Sequence, residues 1–217
     1  ELAEVWAAMP PLTKSRLVVS LDMSPELRQL LKEHNNKTED ELTQDLKNND
    51  PSLSTLRREL GAAKVKHSAS EIVDRIEAGN GPILVGAWHT IVLDELHNEF
   101  VANGLRSAVL DGRTSAKQKQ ILQDKFNAGE LDILVGQIAA MGVSLNLQHG
   151  SSRIIVVEED WSPSIMDQFY ARLHRIGQKN HVHVDTFISD TKLDKAVGRI
   201  SSAKQRSHPT LLTQNEA

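Results

Sequence analysis

Five short apolar runs recur along the last two thirds of this chain: Ile83-Leu84-Val85, Ser107-Ala108-Val109-Leu110, Ile133-Leu134-Val135, Ile154-Ile155-Val156-Val157 and Val182 to Ile188. Runs of this length and continuity read as strands buried on both faces of a parallel sheet. Amphipathic helical patterns separate most of them. Ser70 to Ala78 carries Ile72, Val73 and Ile76 on one side; His89 to Val101 carries Val92, Leu93, Leu96 and Phe100; Ser115 to Asn127 carries Ile121, Leu122 and Phe126. The β-α-β-α order predicts an α/β fold, a doubly wound parallel sheet with helices on both faces. Such sheets place their working loops at the carboxyl ends of the strands, here after Leu110, Val135 and Val157.

The first third reads differently. Arg16 to Leu21 has the pattern of a strand, and Ser24-Pro25-Glu26 offers a cap, a first-turn proline and a first-turn acid for a helix from Pro25 to His34. Asn35 to Thr55 is polar with scattered Leu, which predicts a mobile excursion or two weak helices. The expected organisation is an N-terminal strand and helix extension over residues 1–67 with a mobile polar segment at 35–55, a main lobe over 68–206, and a disordered tail over 207–217.

Composition narrows the class. A chain of 217 residues, 39% hydrophobic and 25% charged, has enough apolar content for one large core. No apolar run approaches eighteen residues, so no membrane partner is expected. The first residues, Glu1-Leu2-Ala3-Glu4, are neither a Met start nor a basic leader, and the expectation is a piece of a longer protein. Cysteine is absent, which fits a reducing compartment and leaves no thiolate metal site. The net charge is -4, yet Ala171 to Arg206 holds eight Lys or Arg against three Asp. One end of the chain is therefore positive.

That basic end contains the run Gln168-Phe169-Tyr170-Ala171-Arg172-Leu173-His174-Arg175-Ile176-Gly177-Gln178. In a helix, Arg172 and Arg175 would share one face, with the segment closing at Gly177. Guanidinium groups stay charged and present rigid donor forks, so two of them aimed together suit phosphate oxygens. The run resembles the sixth helicase motif of the SNF2 family of DNA-dependent ATPases, with the resemblance extending over Thr13 to Ile200. It implies a RecA-like fold for the main lobe, the second of two such lobes. It further implies that Arg172 and Arg175 reach the γ-phosphate of ATP held by the first lobe, that Gln168 helps close the cleft, and that His174 packs or hydrogen-bonds at its edge.

The working loops carry weaker signals. Asp111-Gly112-Arg113-Thr114-Ser115 is a glycine turn opening a helix, with free backbone N–H groups for a phosphate or simply an ordinary capped turn. It is similar to the family's Asp-Gly-x-Thr segment, in which Lys119 matches a usual basic position. Gly136 to Leu147 resembles the fifth motif, except that Ala139, Ala140, Met141 and Gly142 stand where an Arg, an Ala and paired glycines are usual. By that likeness Gly142 approaches nucleotide and DNA, and Asn146 offers a donor and an acceptor to the backbone; the plain reading is a turn packed by Leu145 and Leu147. Glu158-Glu159-Asp160-Trp161-Ser162-Pro163 is similar to an acidic-x-x-Trp-Asn-Pro stretch, with Ser162 replacing Asn. The resemblance makes Trp161 a DNA contact, whereas the bland reading makes it a packing residue. The implied DNA set is Gly112, Arg113, Thr114, Ser115, Gly142, Asn146 and Trp161.

No Gly-x-x-x-x-Gly-Lys-Ser/Thr occurs, so no loop here cradles the α and β phosphates. ATP and Mg2+ are expected to be held mainly by the first lobe of the same protein. Asp94-Glu95-Leu96-His97 imitates a magnesium motif but falls inside a helical pattern. His181 and His183 lack partners at ligand spacing, so no metal site is expected. The resemblance thus implies an ATP-dependent DNA translocase in the intact protein, acting on duplex or forked DNA, with this chain alone inactive. The alternative is a RecA-like module that binds DNA or protein without chemistry. Its expected place is the cytoplasm or nucleoid of a bacterium or phage, or a eukaryotic nucleus.

Overall fold

The computed structural model describes residues 9–48, 50–141 and 145–207. Six strands form one sheet in the order β1-β6-β5-β2-β4-β3, and every pair is parallel. The strands are β1 (Leu12–Val18), β2 (Ile83–Ala87), β3 (Ser107–Leu110), β4 (Ile133–Gln137), β5 (Arg153–Val156) and β6 (Val182–Ile188). The helices are α1 (Pro25–His34), α2 (Glu39–Lys47), α3 (Pro51–Glu77), α4 (Thr90–Ala102), α5 (Ala116–Asn127), α6 (Pro163–Tyr170) and α7 (Lys192–Ser207).

Alternation along each central strand divides the core into two layers. Leu84, Leu134, Ile154 and Val156 face one way, onto Phe126 of α5 and Met166, Phe169 and Tyr170 of α6. Ile83, Val85, Ile133, Val135 and Ile155 face the other way, onto Val65, Ala69 and Ile72 of α3 and Val92, Leu93, Leu96 and Phe100 of α4. This is the doubly wound arrangement that the apolar runs predict. Phe100 and Phe126 are fully buried, and truncating either to Ala would cost about 3–5 kcal/mol.

A third cluster joins the two ends of the chain. Leu27, Leu42, Leu46, Leu53, Leu56, Leu60 and Ala63 pack with Leu193, Ala196, Val197 and Ile200 of α7. The polar stretch 35–55 is accordingly helical over α2 and the start of α3. Thr38 and Glu41 form a capping box on α2, and Asp50 caps α3 through Ser52 N at 2.8 Å. Of the two expectations for this stretch, a mobile excursion or two helices, the structure has the helices. Its Leu residues lie on faces that meet α7, a long-range partner that local composition does not reveal.

Two boundaries differ from the sequence reading. The helix expected from Ser70 begins at Pro51, so the 67/68 division falls inside α3. Its apolar stripe was hidden because Gly61, Lys64 and Ser68 are buried along with the hydrophobic residues. The first strand runs from Leu12 to Val18 rather than Arg16 to Leu21, because pairing with β6 sets its extent, from Leu12 opposite Val182 to Val18 opposite Ile188. As an edge strand it is largely exposed, and Arg16 and Lys14 reach Glu159 at 2.5 Å and Asp167 at 3.7 Å. The tail from residue 208 lies outside the described residues. Among the described residues no helix is long and apolar enough to cross a membrane.

Candidate functional site

The carboxyl ends of β2, β3 and β5 carry Trp88, the Gly112 to Ser115 turn and Trp161. The arginine segment lies instead at the amino ends of the strands, where Gln178 reaches Ser151 just before β5 and His174 reaches Pro10 just before β1. The arginine segment follows α6, which Pro163 opens and which ends at Tyr170 with Ala171 N bonded to Asp167 O at 2.9 Å. Arg172 and Arg175 therefore do not share a helical face. They lie in a series of tight turns, in which Arg172 N donates to Phe169 O at 3.1 Å and His174 N to Tyr170 O at 2.9 Å. Gly177 has φ of +96°, a conformation that other residues reach only with strain.

Buried Gln178 pins the turns. Its Nε2 donates to the carbonyls of Ser151 (2.8 Å), Gln148 (3.1 Å) and Leu173 (3.2 Å), while its Oε1 accepts from Lys179 N and Asn180 N. His174 lies at 2.8 Å from Pro10 O through Nε2, and burial lowers its pKa, which favours the neutral imidazole.

The turns bring both guanidiniums to one acceptor. Arg172 Nη1 and Arg175 Nη1 donate to the Leu145 carbonyl oxygen at 3.4 and 3.2 Å, and Arg172 Nε donates to Gln168 O at 2.9 Å. Among the described residues neither guanidinium forms an ion pair with a carboxylate. Burial lowers the pKa of Arg172, and the neighbouring charge of Arg175 lowers it further. Two cations thus face a neutral carbonyl with donors to spare, an arrangement suited to an incoming anion. Gln168 is exposed on α6. Gly142, expected beside nucleotide and DNA, lies outside the described residues.

The other loop residues are engaged within the chain. Gly112 N donates to Gln137 Oε1 at 3.2 Å, and Thr114 Oγ1 accepts from Asp111 N at 3.0 Å. Ser115 caps α5 in a capping box with Gln118. Arg113 is held by Asp111 (Nε to Oδ2, 2.7 Å) and by Asp94 (Nη2 to Oδ1, 2.6 Å; Nη1 to Oδ2, 3.1 Å), and these bonds raise its pKa. Asp94, read as an imitation of a metal motif, lies in α4 and serves as that partner. Lys119 is half-buried. Asn146 has an exposed side chain, while its N–H and carbonyl bind Gln123 Oε1 and Asn127 Nδ2, each at 2.7 Å.

Trp161 is half-buried, with the Arg57 guanidinium 4.4 Å from its ring centre. Arg57 also lies 5.9 Å from the Trp88 ring. The carbonyl of Trp88 accepts from Gln137 Nε2 at 3.2 Å, so Gln137 joins the Gly112 turn to the Trp88 segment. Buried Glu158 ties that segment down, accepting from Trp88 N (3.0 Å) and His89 N (2.9 Å) and contacting His89 Nδ1 at 2.6 Å.

Sequence reasoning missed Arg57, Trp88 and the Leu145 carbonyl, and it read Glu158 only as the acidic position of the Trp161 stretch. Trp88 and His89 directly follow β2, so the strand-end rule extended to that loop would have found them. Arg57 carries no such signal, because its contact with Glu159 spans 102 positions. Among the described residues no group of three or more His, Asp or Glu is placed to hold a metal ion.

Comparison with known proteins adds ancestry to this geometry. The family model described as helicase conserved C-terminal domain matches residues 64–177. Helicase SWR1 of Yarrowia lipolytica is 32% identical over 143 residues, covering 65% of this chain and 8% of the relative. Helicase SWR1 of Debaryomyces hansenii is 28% identical over 167 residues, or 76% of this chain and 10% of the relative. The chain therefore spans about a tenth of the length of these curated relatives. The C-terminal part of the Fun30 ATPase domain superposes with a TM-score of 0.67 at 16% identity, covering 89% of this chain and 90% of that one. The Sulfolobus solfataricus SWI2/SNF2 ATPase core in complex with dsDNA gives a TM-score of 0.70 at 18% identity, covering 91% and 45%. At these identities the structural likeness establishes the fold, which is RecA-like.

Proposed function

Because the chain belongs to the helicase conserved C-terminal domain family, as an SNF2-type lobe, we propose that it is the half of an ATP-dependent DNA translocase that supplies arginines to the nucleotide. One observation carries the reading: Arg172 and Arg175 converge on the Leu145 carbonyl, with no carboxylate neutralising them among the described residues. Phosphoryl transfer spreads charge over the equatorial oxygens of the γ-phosphate, and inserted guanidiniums stabilise that charge. The neutral carbonyl is a weaker partner than a phosphate, so the pair can exchange one for the other when the first lobe presents ATP. Gln168, on the exposed side of α6, helps close the cleft.

The cofactor is ATP with Mg2+. Of its site this chain supplies the guanidinium donors; the phosphate-cradling loop and the metal ligands come from the first lobe. Closing of the lobes with γ-phosphate present, and reopening after hydrolysis, steps the protein along DNA.

DNA is held by the turn Gly112 to Ser115, by Gly142 and Asn146, and by Trp161. What supports this reading is the place of the Gly112 to Ser115 turn after β3 and of Trp161 after β5, together with the SNF2 resemblance. For Arg113 to meet a phosphate, it must exchange the Asp94 carboxylate for it. The test is DNA-stimulated ATP turnover by this chain alone. Negligible turnover is expected, and a rate like that of a complete translocase would refute the half-site assignment.

A further inference from the structure

We propose that Arg57, in the N-terminal half of α3, is a positioning residue that fixes the ring of Trp161 for contact with DNA. The inference rests on the reading of Trp161 as a DNA contact and adds the residue that makes the contact possible.

The geometry is specific to a guanidinium. Its central carbon lies 4.4 Å from the Trp161 ring centre and 5.9 Å from that of Trp88, and Nη2 donates to the Glu159 carbonyl at 3.3 Å. One planar cation thus associates with two indoles and anchors the backbone two residues before Trp161. An ammonium can supply the charge but has neither the plane nor the fork. Burial lowers the Arg57 pKa, and the charges of Glu158, Asp160 and Asp194 oppose that shift.

The next turn of α3 reinforces the same loop. A Cβ on Gly61 would come 2.2 Å from Glu158 Oε1, so only glycine lets the Glu158 carboxylate lie this close to the helix. That carboxylate holds Trp88 N and His89 N, and the Trp88 ring centre lies 5.9 Å from the Arg57 guanidinium. Arg57 and Gly61 are four apart on α3 and therefore share one face. That face shapes the loop from Glu158 to Trp161. A residue from the segment before β2 thereby governs a side chain at the carboxyl end of β5.

The test uses the 217-residue chain labelled with 5-fluorotryptophan, its three tryptophan resonances assigned by single Trp→Phe variants. Binding to a fluorescein-labelled DNA duplex is followed by anisotropy at low salt, where phosphate contacts are strongest. Arg57→Gln is expected to shift the Trp161 resonance and weaken DNA binding about fivefold, with Arg57→Lys intermediate in both. Arg57→Lys keeps the charge facing the three acids, so it carries the test if Arg57→Gln does not fold. An unmoved Trp161 resonance, or a moved one with wild-type DNA affinity, overturns the proposal. Trp161→Ala separates the two layers: if it leaves DNA affinity unchanged, the DNA reading of Trp161 fails, whatever Arg57 does to the ring.

Discussion

Arg175 Nη1 and the Leu145 carbonyl oxygen stand 3.2 Å apart, and Arg172 donates to the same oxygen at 3.4 Å. The contact joins the turns after α6 to the loop that follows β4. Among the described residues two neutral acceptors, the Leu145 and Gln168 carbonyls, engage three of the ten guanidinium N–H donors. Because the sequence holds no Gly-x-x-x-x-Gly-Lys-Ser/Thr loop to cradle the phosphates, the chain alone should nonetheless attract nucleotide only weakly. Titration of the isolated chain with ATP by calorimetry should give a Kd no tighter than about 1 mM. A micromolar value would mean that a phosphate cradle exists within this lobe.

The Asp94 carboxylate occupies the fork of Arg113, which a DNA phosphate would need. Asp94→Asn should strengthen binding of duplex DNA about two- to threefold and steepen its salt dependence by about one phosphate contact. Arg113→Ala should weaken binding in both the parent and the Asp94→Asn background. Equal salt slopes for the parent and Asp94→Asn would show that Arg113 does not meet DNA.

Gly61→Ala tests how tightly α3 fits the loop after β5. In a helix this change ordinarily stabilises by about 1 kcal/mol. Here the new Cβ meets Glu158 Oε1 at 2.2 Å and Val92 Cγ2 at 3.0 Å. The carboxylate cannot swing away without giving up Trp88 N and His89 N. A net loss of about 1–3 kcal/mol is expected from thermal or urea unfolding. A stabilised variant would show that Glu158 moves freely.

Lys64 and Asp194 make a pH-dependent contribution to stability. Burial pushes the Asp194 carboxyl up, but the Lys64 charge at 3.3 Å and hydrogen bonds from Ser189 N (2.7 Å) and Oγ (2.8 Å) prevail and hold its pKa below the ordinary value. A depressed carboxylate pKa contributes stability above the unfolded value of about 3.9, and that contribution is lost as pH falls through the folded value. Asp194→Asn also leaves the buried Lys64 ammonium without its carboxylate. It should cost about 2–4 kcal/mol at pH 7, with the gap from wild type narrowing below about pH 4. A gap independent of pH would assign the loss to packing.

The central strands β2 and β4 were legible because each pairs on both sides and is buried on both faces, and β3 and β6 because most of their residues are apolar. Ser107–Leu110 and Val182–Ile188 match their apolar runs residue for residue, and β2 and β4 extend theirs by two residues. Local patterning failed where a distant partner decides. The register of β1 is set by β6, and the length of α3 by packing on both the sheet and α7. At the site, the arginine run was legible as a motif but its shape was not. The helix stops at Tyr170 because the chain must turn to bury Leu173 and seat Gln178 on three carbonyls. Arg57 stayed invisible for the same reason, since only the folded chain brings it to Trp161.

The central claim, that Arg172 and Arg175 complete a nucleotide site shared with another lobe, is tested most directly in the full-length protein carrying both lobes. DNA-stimulated ATP turnover should be measured for the parent, Arg172→Ala, Arg175→Ala and the matching Lys variants, with the fold checked by unfolding curves. The account predicts that each Ala variant, still folded, loses about 10³-fold in turnover and that Lys does not restore it. Folded Ala variants that hydrolyse ATP within about threefold of the parent would contradict it.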